Sequence, residues 1–207
     1  MGLDIQRVNT YEDSRFSEKV LRQHGAFLLG GEPYEVEITS IDSAVVRGAS
    51  PKLYRDIIEY FRFFAGHISR FYNSTGELVQ QFPSVELFPV KLSAIQPSQF
   101  YVDEDKLAAV QEFICSAEDI ILPVTPEAGR YISQDGHTRL AAAVKLGLDK
   151  VYSFIAETND FLYSFVEEAK RRGVFSPYDL PVIPHGEYEV KWNQFCEDFF
   201  SNQGESI

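Results

Sequence analysis

Five consecutive residues, Asp135-Gly136-His137-Thr138-Arg139, gather a carboxylate, an imidazole, a hydroxyl and a guanidinium around one glycine. They follow the β-type run "YIS" and lead into the alanine-rich stretch "RLAAAVKLG". A strand that turns tightly into a helix presents the N–H groups and the positive dipole end of the first helical turn, so an anion, phosphate above all, is its natural guest. Gly136 lets the backbone approach such a ligand closely. Thr138 adds a hydroxyl donor, and Arg139 a planar fork that matches phosphate oxygens. Asp135 can cap the helix, hold a metal ion or orient a sugar hydroxyl, while His137 can polarise an attacking or leaving group. The same residues have a plainer account: Asp135 as a helix cap, His137 as a surface residue and Arg139 as an ordinary helix charge. The chain has no Walker pattern, no His-x-x-x-His pair and no Gly-x-Ser-x-Gly elbow.

The elements that must position this turn are legible as patterns. "DIILPV" is short, continuous and apolar, as an interior strand requires, and "VYSFIAE" reads as another strand. In "PSQFYVDEDKLAAVQEFICS", Asp103 is a helix N-cap and Leu107, Val110, Phe113 and Ile114 mark a buried face. Upstream, "GAFLLGGEPYEVEI" gives two strands around Gly30-Gly31, and "SAVVRG" a third. A helix is then predicted to start with Ser50 as cap and Pro51 at its first position, its apolar residues running from Leu53 through Ile57, Phe61, Phe64, Ile68 and Phe71. His67 lies beside that stripe and reads as structural. Two strand-like runs flank Pro83-Ser84. Downstream, "NDFLYSFVEEAKRRG" and "EYEVKWNQFCEDFF" read as helices, the Lys170-Arg171-Arg172 run complementing the dipole on a solvated face. His24 and His185 sit in polar, turn-like contexts with no evident role. The fold class expected is α+β, a mixed α/β arrangement.

Composition narrows the functions. The 207 residues are 44% hydrophobic, enough for a real core rather than a disordered chain. Lys and Arg number 19 against 31 Asp and Glu, a net charge of -12 that disfavours nucleic acid as a partner. Cys115 and Cys196 fall within apolar patterns and read as buried, reduced thiols. No run approaches the roughly 20 apolar residues of a membrane span, and the N-terminus has no secretory h-region. A cytoplasmic protein without a membrane partner is expected.

One resemblance adds to this reading. The stretch "LSAIQPSQFYVDEDKL…IILPVTPEAGRYISQDGHTRLAAAVKLGLDKVYSFI" resembles the core domain shared by ParB-type partitioning proteins, sulfiredoxins and the free serine kinases. The likeness implies a ParB/sulfiredoxin-like core over residues 86–157, an N-terminal α+β elaboration over 1–85 and a C-terminal helical extension over 158–207. It also implies nucleotide binding through the glycine-led turn. Sulfiredoxins carry a reactive cysteine there, whereas this chain has no thiol in the turn. Partitioning proteins carry a second arginine where Thr138 stands, and a downstream helix-turn-helix domain that the last 50 residues do not suggest. The turn of the free serine kinases is also Asp-Gly-His-x-Arg. That match implies that Asp135, Gly136, His137, Thr138 and Arg139 contact nucleotide phosphates and Mg2+.

The expected activity is transfer of phosphate from ATP or ADP to a small hydroxyl-bearing metabolite such as free serine. Asp135 would hold Mg2+, Gly136, His137, Thr138 and Arg139 would hold the phosphates, His137 would assist proton or charge movement, and Ser98 and Gln99 would face the acceptor. The kinases take the serine proton with a glutamate near a Pro-x-Glu, where this chain reads Pro97-Ser98-Gln99. Gln99 cannot act as a general base. A non-catalytic nucleotide-binding or protein-interaction module is therefore the alternative, with a DNA partitioning or nuclease protein behind it.

Overall fold

The computed structural model describes residues 4–10, 12–158 and 161–203. The chain is a mixed α+β protein, and its backbone divides into two compact units, Met1–Glu86 and Leu87–Ile207. Among the described residues, no helix is long and apolar enough to cross a membrane.

The first unit is built on a six-stranded sheet. Its strands are β1 (Ile5–Arg7), β2 (Ala26–Leu29), β3 (Glu32–Ser40), β4 (Ser43–Gly48), β5 (Arg70–Tyr72) and β6 (Leu78–Gln81), paired in that order. All neighbours are antiparallel except β4 and β5. A short helix α1 (Glu18–Arg22), capped by Ser17, precedes β2. Helix α2 (Tyr54–Arg62) buries Ile57, Ile58 and Phe61 with Phe27, Val36, Val46 and Phe71. Each such aliphatic side chain contributes about 1.5–3 kcal/mol by leaving water.

Helix α2 is shorter than its apolar spacing predicts. Ser50 makes no side-chain cap, Pro51 opens a 3-10 turn, and the helix ends at Arg62. Ile68 and Phe71 are fully buried, but Phe71 lies in β5, paired with Ala44. The helix has already ended four residues before Gly66, and the β-type run after that glycine pairs with the free side of β4, which satisfies its backbone as well as its side chains. His67 is buried, as expected of a structural histidine.

The second unit holds a five-stranded sheet in the order β7-β12-β10-β11-β8. These strands are β7 (Phe88–Lys91), β8 (Ile95–Pro97), β10 (Ile121–Glu127), β11 (Arg130–Ser133) and β12 (Lys150–Ile155). The pairings β12–β10 and β11–β8 are parallel, and β7–β12 and β10–β11 antiparallel. Between β8 and β10 come β9 (Val102–Asp103) and α3 (Glu104–Gln111). As expected, Asp103 caps α3, accepting from the N–H groups of Asp105 and Lys106. Helix α4 (His137–Lys145) buries Leu140, Ala141, Ala142 and Ala143 and packs against α3. The alanines let that helix sit close to its neighbours, and Gly147 stops it at φ +69°.

The chain closes with α5 (Phe161–Arg171), β13 (Val182–Ile183), α6 (His185–Tyr188), a π-helical turn (Glu189–Asn193) and α7 (Gln194–Gln203). Strand β13 pairs in parallel with β9. Trp192 and Phe195 pack edge-on against Phe100 and Phe165, so the C-terminal segment is held by aromatic contacts.

Two expectations need correction. Cys115 is exposed, because α3 stops at Gln111 and the thiol lies beyond its buried face, while Cys196 is half-buried. The Lys170-Arg171-Arg172 run is not simply solvated. Its members pair with Glu167 and Glu168, and Arg172 lies 4.3 Å from the centre of the Phe100 ring.

Candidate functional site at the start of helix α4

The turn from β11 to α4 is held from three directions. The carbonyl of Pro123 accepts the N–H of Gln134 at 3.0 Å. Pro123 itself has no N–H to donate, so the sheet ladder gives way to the turn at this point. The Gln134 side chain donates to Thr125 Oγ1 at 2.7 Å and to the carbonyls of Ala156 and Glu157, pinning the turn to β10 and to the end of β12. Sequence reading gave Gln134 no role, because its partners lie on two other strands.

The third tie is His137, at the first position of α4 and 5% exposed. Its Nε2 accepts backbone N–H groups from Ser98 and Gln99, both at 3.2 Å. The hydroxyls of Ser98 and Ser133 lie 3.3 and 3.2 Å from the same nitrogen, and Ser98 Oγ donates to the Ser133 carbonyl at 2.8 Å. A nitrogen that receives two N–H donors carries no proton, so the ring is neutral with its hydrogen on Nδ1. Burial drives the pKa of His137 down from 6.5 to about 4, against the opposing pull of the Asp135 charge and of a bond to the Ser133 backbone. The ring thus joins the segment after β8 to the start of α4. Its Nε2 lone pair is committed, which does not suit the surface position or the proton-moving role expected from sequence.

Gly136 occupies the N-cap in the left-handed region, φ +79°. A Cβ there would approach Leu122 Cδ2 to 2.2 Å. The backbone conformation and the Leu122 contact therefore require glycine without reference to a ligand. As the N-cap residue it brings no side chain to cap the helix. Asp135 is exposed, and the expected capping role passes to Gly136.

Thr138 and Arg139 follow, both half-buried. Among the described residues neither side chain makes a hydrogen bond or ion pair. The other arginines of this unit are all engaged. Arg130 donates to the carbonyls of Ser93, Ile95 and Phe175, while Arg171 and Arg172 pair with Glu168. Arg139 also sits in the first turn of its helix, where the dipole disfavours a cation.

Ser98 and Gln99 adjoin this turn through His137, so Ser98, Gln99, Gly136, His137, Thr138 and Arg139 form one neighbourhood. The Gln99 carboxamide is not free to face an acceptor. Its nitrogen donates to the Tyr101 carbonyl and, at 3.3 Å, to the Tyr188 hydroxyl of α6. Burial raises the pKa of that phenol, keeping it protonated.

A second polar cluster lies at β9 and α6. Asp103, with its side chain fully buried, pairs with His185 Nδ1 at 2.7 Å. Asp103, Asp105 and His185 each place a potential metal-ligand atom within 4.8 Å of the others. The Asp103 oxygens, however, already cap α3 and hold His185. Sequence reading left His185 without a role because its partner is 82 residues away.

Comparison with known proteins finds no matching family model and no matching curated protein. Among solved structures there is a match to "protein Atu1540 from Agrobacterium tumefaciens", at 17% identity and TM-score 0.37, covering 48% of this chain and 63% of that one. A likeness this low carries no argument about function.

Proposed function

We propose that the β11–α4 turn is the phosphate site of a nucleotide-binding protein, which transfers phosphate from ATP or ADP to a small hydroxyl-bearing metabolite such as free serine. The observation that carries this reading is Arg139. Among the described residues, a half-buried guanidinium stands without a partner at a helix start, where a cation is disfavoured, although the chain is rich in acidic residues, 31 in all. A bound phosphate would match its planar fork, with the Thr138 hydroxyl and the helix dipole beside it. Gly136 keeps the helix start clear of a capping side chain, and His137 acts as a positioning residue that fixes the turn against Ser98 and Gln99.

The donor set suits Mg2+ brought by the nucleotide, because that ion takes one or two carboxylates together with phosphate oxygens and water. Asp135 would hold it, and the ion would neutralise charge on the phosphates. In the transfer, a bond from phosphorus to the nucleotide's bridging oxygen breaks and one to the acceptor oxygen forms. The acceptor proton would pass to an oxygen of the transferred phosphoryl group, because neither Gln99 nor the neutral, occupied His137 provides a base. The lack of a protein base at these two positions is the observation behind the alternative reading, a nucleotide-binding module without turnover. A cytoplasmic setting, where such nucleotides occur, fits both readings.

The test is to incubate the protein with Mg2+ and γ-labelled ATP or β-labelled ADP, with serine and other small hydroxyl compounds as acceptors. The transferase reading expects label on an acceptor, reduced about 10- to 100-fold by Arg139→Ala, the worth of one charge-assisted contact. Nucleotide binding with no labelled acceptor selects the non-catalytic module. Neither binding nor transfer overturns both readings.

A further inference from the structure

We infer that the outer face of α2, in the first unit, is a docking site for a basic, apolar peptide segment of a partner protein, whose cationic side chain enters a pocket between Tyr60, Phe63 and Phe64 toward Asp56 and Glu59. Completed by Ile5, this pocket has a volume of about 600 Å3, within the range of ordinary ligand sites. Its lining includes none of the residues of the α4 turn, and nothing in the proposed nucleotide chemistry uses it.

The helix period assembles the site. Ile57, Ile58 and Phe61 face the core, so Asp56, Glu59 and Phe63 fall on the opposite side of α2 and the turn that follows it, with Tyr60 at the boundary, edge-on to Phe27 at 5.7 Å. Phe63 is 84% exposed and Tyr60 40% exposed, an unusual outlay of aromatic surface for a helix that already has a buried face. The rings form an angled set: Phe63 and Phe64 meet edge-on at 5.1 Å between centroids, and Tyr60 and Phe64 are tilted at 6.0 Å.

Charge identifies the occupant. Ring faces attract cations, and the two carboxylates at the pocket add full negative charges. Asp56 makes no hydrogen bond or ion pair among the described residues. Glu59 accepts one bond, from Gln80 at 2.8 Å. The chain itself already places one guanidinium on this set, Arg7 lying 4.1 Å from the centre of the Phe64 ring. A second arginine or lysine side chain entering from outside would meet Tyr60, Phe63 and the two acids. A small ammonium compound in the pocket would leave Phe63 in water. A peptide covers it, provided an apolar side chain flanks the basic one.

The test uses the full chain and fluorescein-labelled hexapeptides of alternating leucine and arginine, read by anisotropy. The arginine peptide is expected to bind saturably. Affinity should fall at least about tenfold with Phe63→Ala, with the double variant Asp56→Asn and Glu59→Gln, and with a peptide carrying citrulline in place of arginine. Glu86→Gln with Glu118→Gln removes the same charge elsewhere and is expected to change nothing. All the substituted residues are exposed, and unchanged thermal melts would verify that each variant folds. No saturable binding up to about 1 mM peptide overturns the inference, as does binding indifferent to Phe63→Ala or lost equally in the Glu86/Glu118 control. Butylguanidinium binding as tightly as the peptide would overturn the peptide as occupant.

Discussion

At the scale of single residues, His137 decides how the candidate site is to be understood. Its type and place in the Asp-Gly-His-Thr-Arg turn are plain in the sequence, but its burial is not, because the ring is enclosed by Ser98 and Gln99, which follow β8 and lie 39 and 38 residues earlier. Burial has a thermodynamic consequence. The folded pKa is depressed from 6.5 to about 4, so the unfolded chain takes up a proton at this position first as pH falls. The stabilising contribution of neutral His137 is complete above 6.5 and is lost as pH falls towards 4, amounting to about 3 kcal/mol over that range. Urea unfolding of wild type and His137→Gln at pH 7 and pH 4 measures it. Wild type should lose more stability than the variant over this interval, by about 2–3 kcal/mol. Equal losses would show that the ring titrates normally and is not the neutral anchor described. Arg139 is the converse case. Its identity was legible, whereas the lack of a partner among the described residues depends on where the carboxylates of other elements lie.

At the scale of elements, local signals served well where chain-local physics decides. The start of α3 at Asp103, the strands "DIILPV" and "VYSFI", and the stop of α4 at Gly147 all follow from capping, apolar runs and left-handed glycine. They failed where pairing between distant segments wins. Phe71 kept its burial but exchanged helix for strand once β4 offered an edge, and Cys115 left the buried face when α3 ended early. The clasp between β9 and α6 was equally hidden, since nothing near His185 announces Asp103. In this clasp the Asp103 carboxylate, joined by Glu189 and Asp105, raises the pKa of His185 above its ordinary 6.5. A raised folded value means that the pair's contribution is complete below 6.5 and is lost as pH rises through the folded value. An NMR titration of His185 should give a midpoint above 6.5 that falls back in Asp103→Asn. A midpoint at or below 6.5 in the wild type would mean that the clasp does not hold in solution.

At the scale of the whole molecule, mixed α+β architecture was legible from the succession of strand and helix patterns, and the structure bears it out. Function is the harder inference. A net charge of -12 repels nucleotides at long range, so any phosphate site must depend on short-range donors at one turn. That makes the central claim sharply local, and calorimetric titration tests it most directly, with Mg-ATP and ADP added to wild-type protein and to Arg139→Ala. The account predicts one saturable site in the wild type for at least one of the two nucleotides, weakened about 10- to 100-fold by the substitution. No binding to wild type, or equal binding to both proteins, would contradict it.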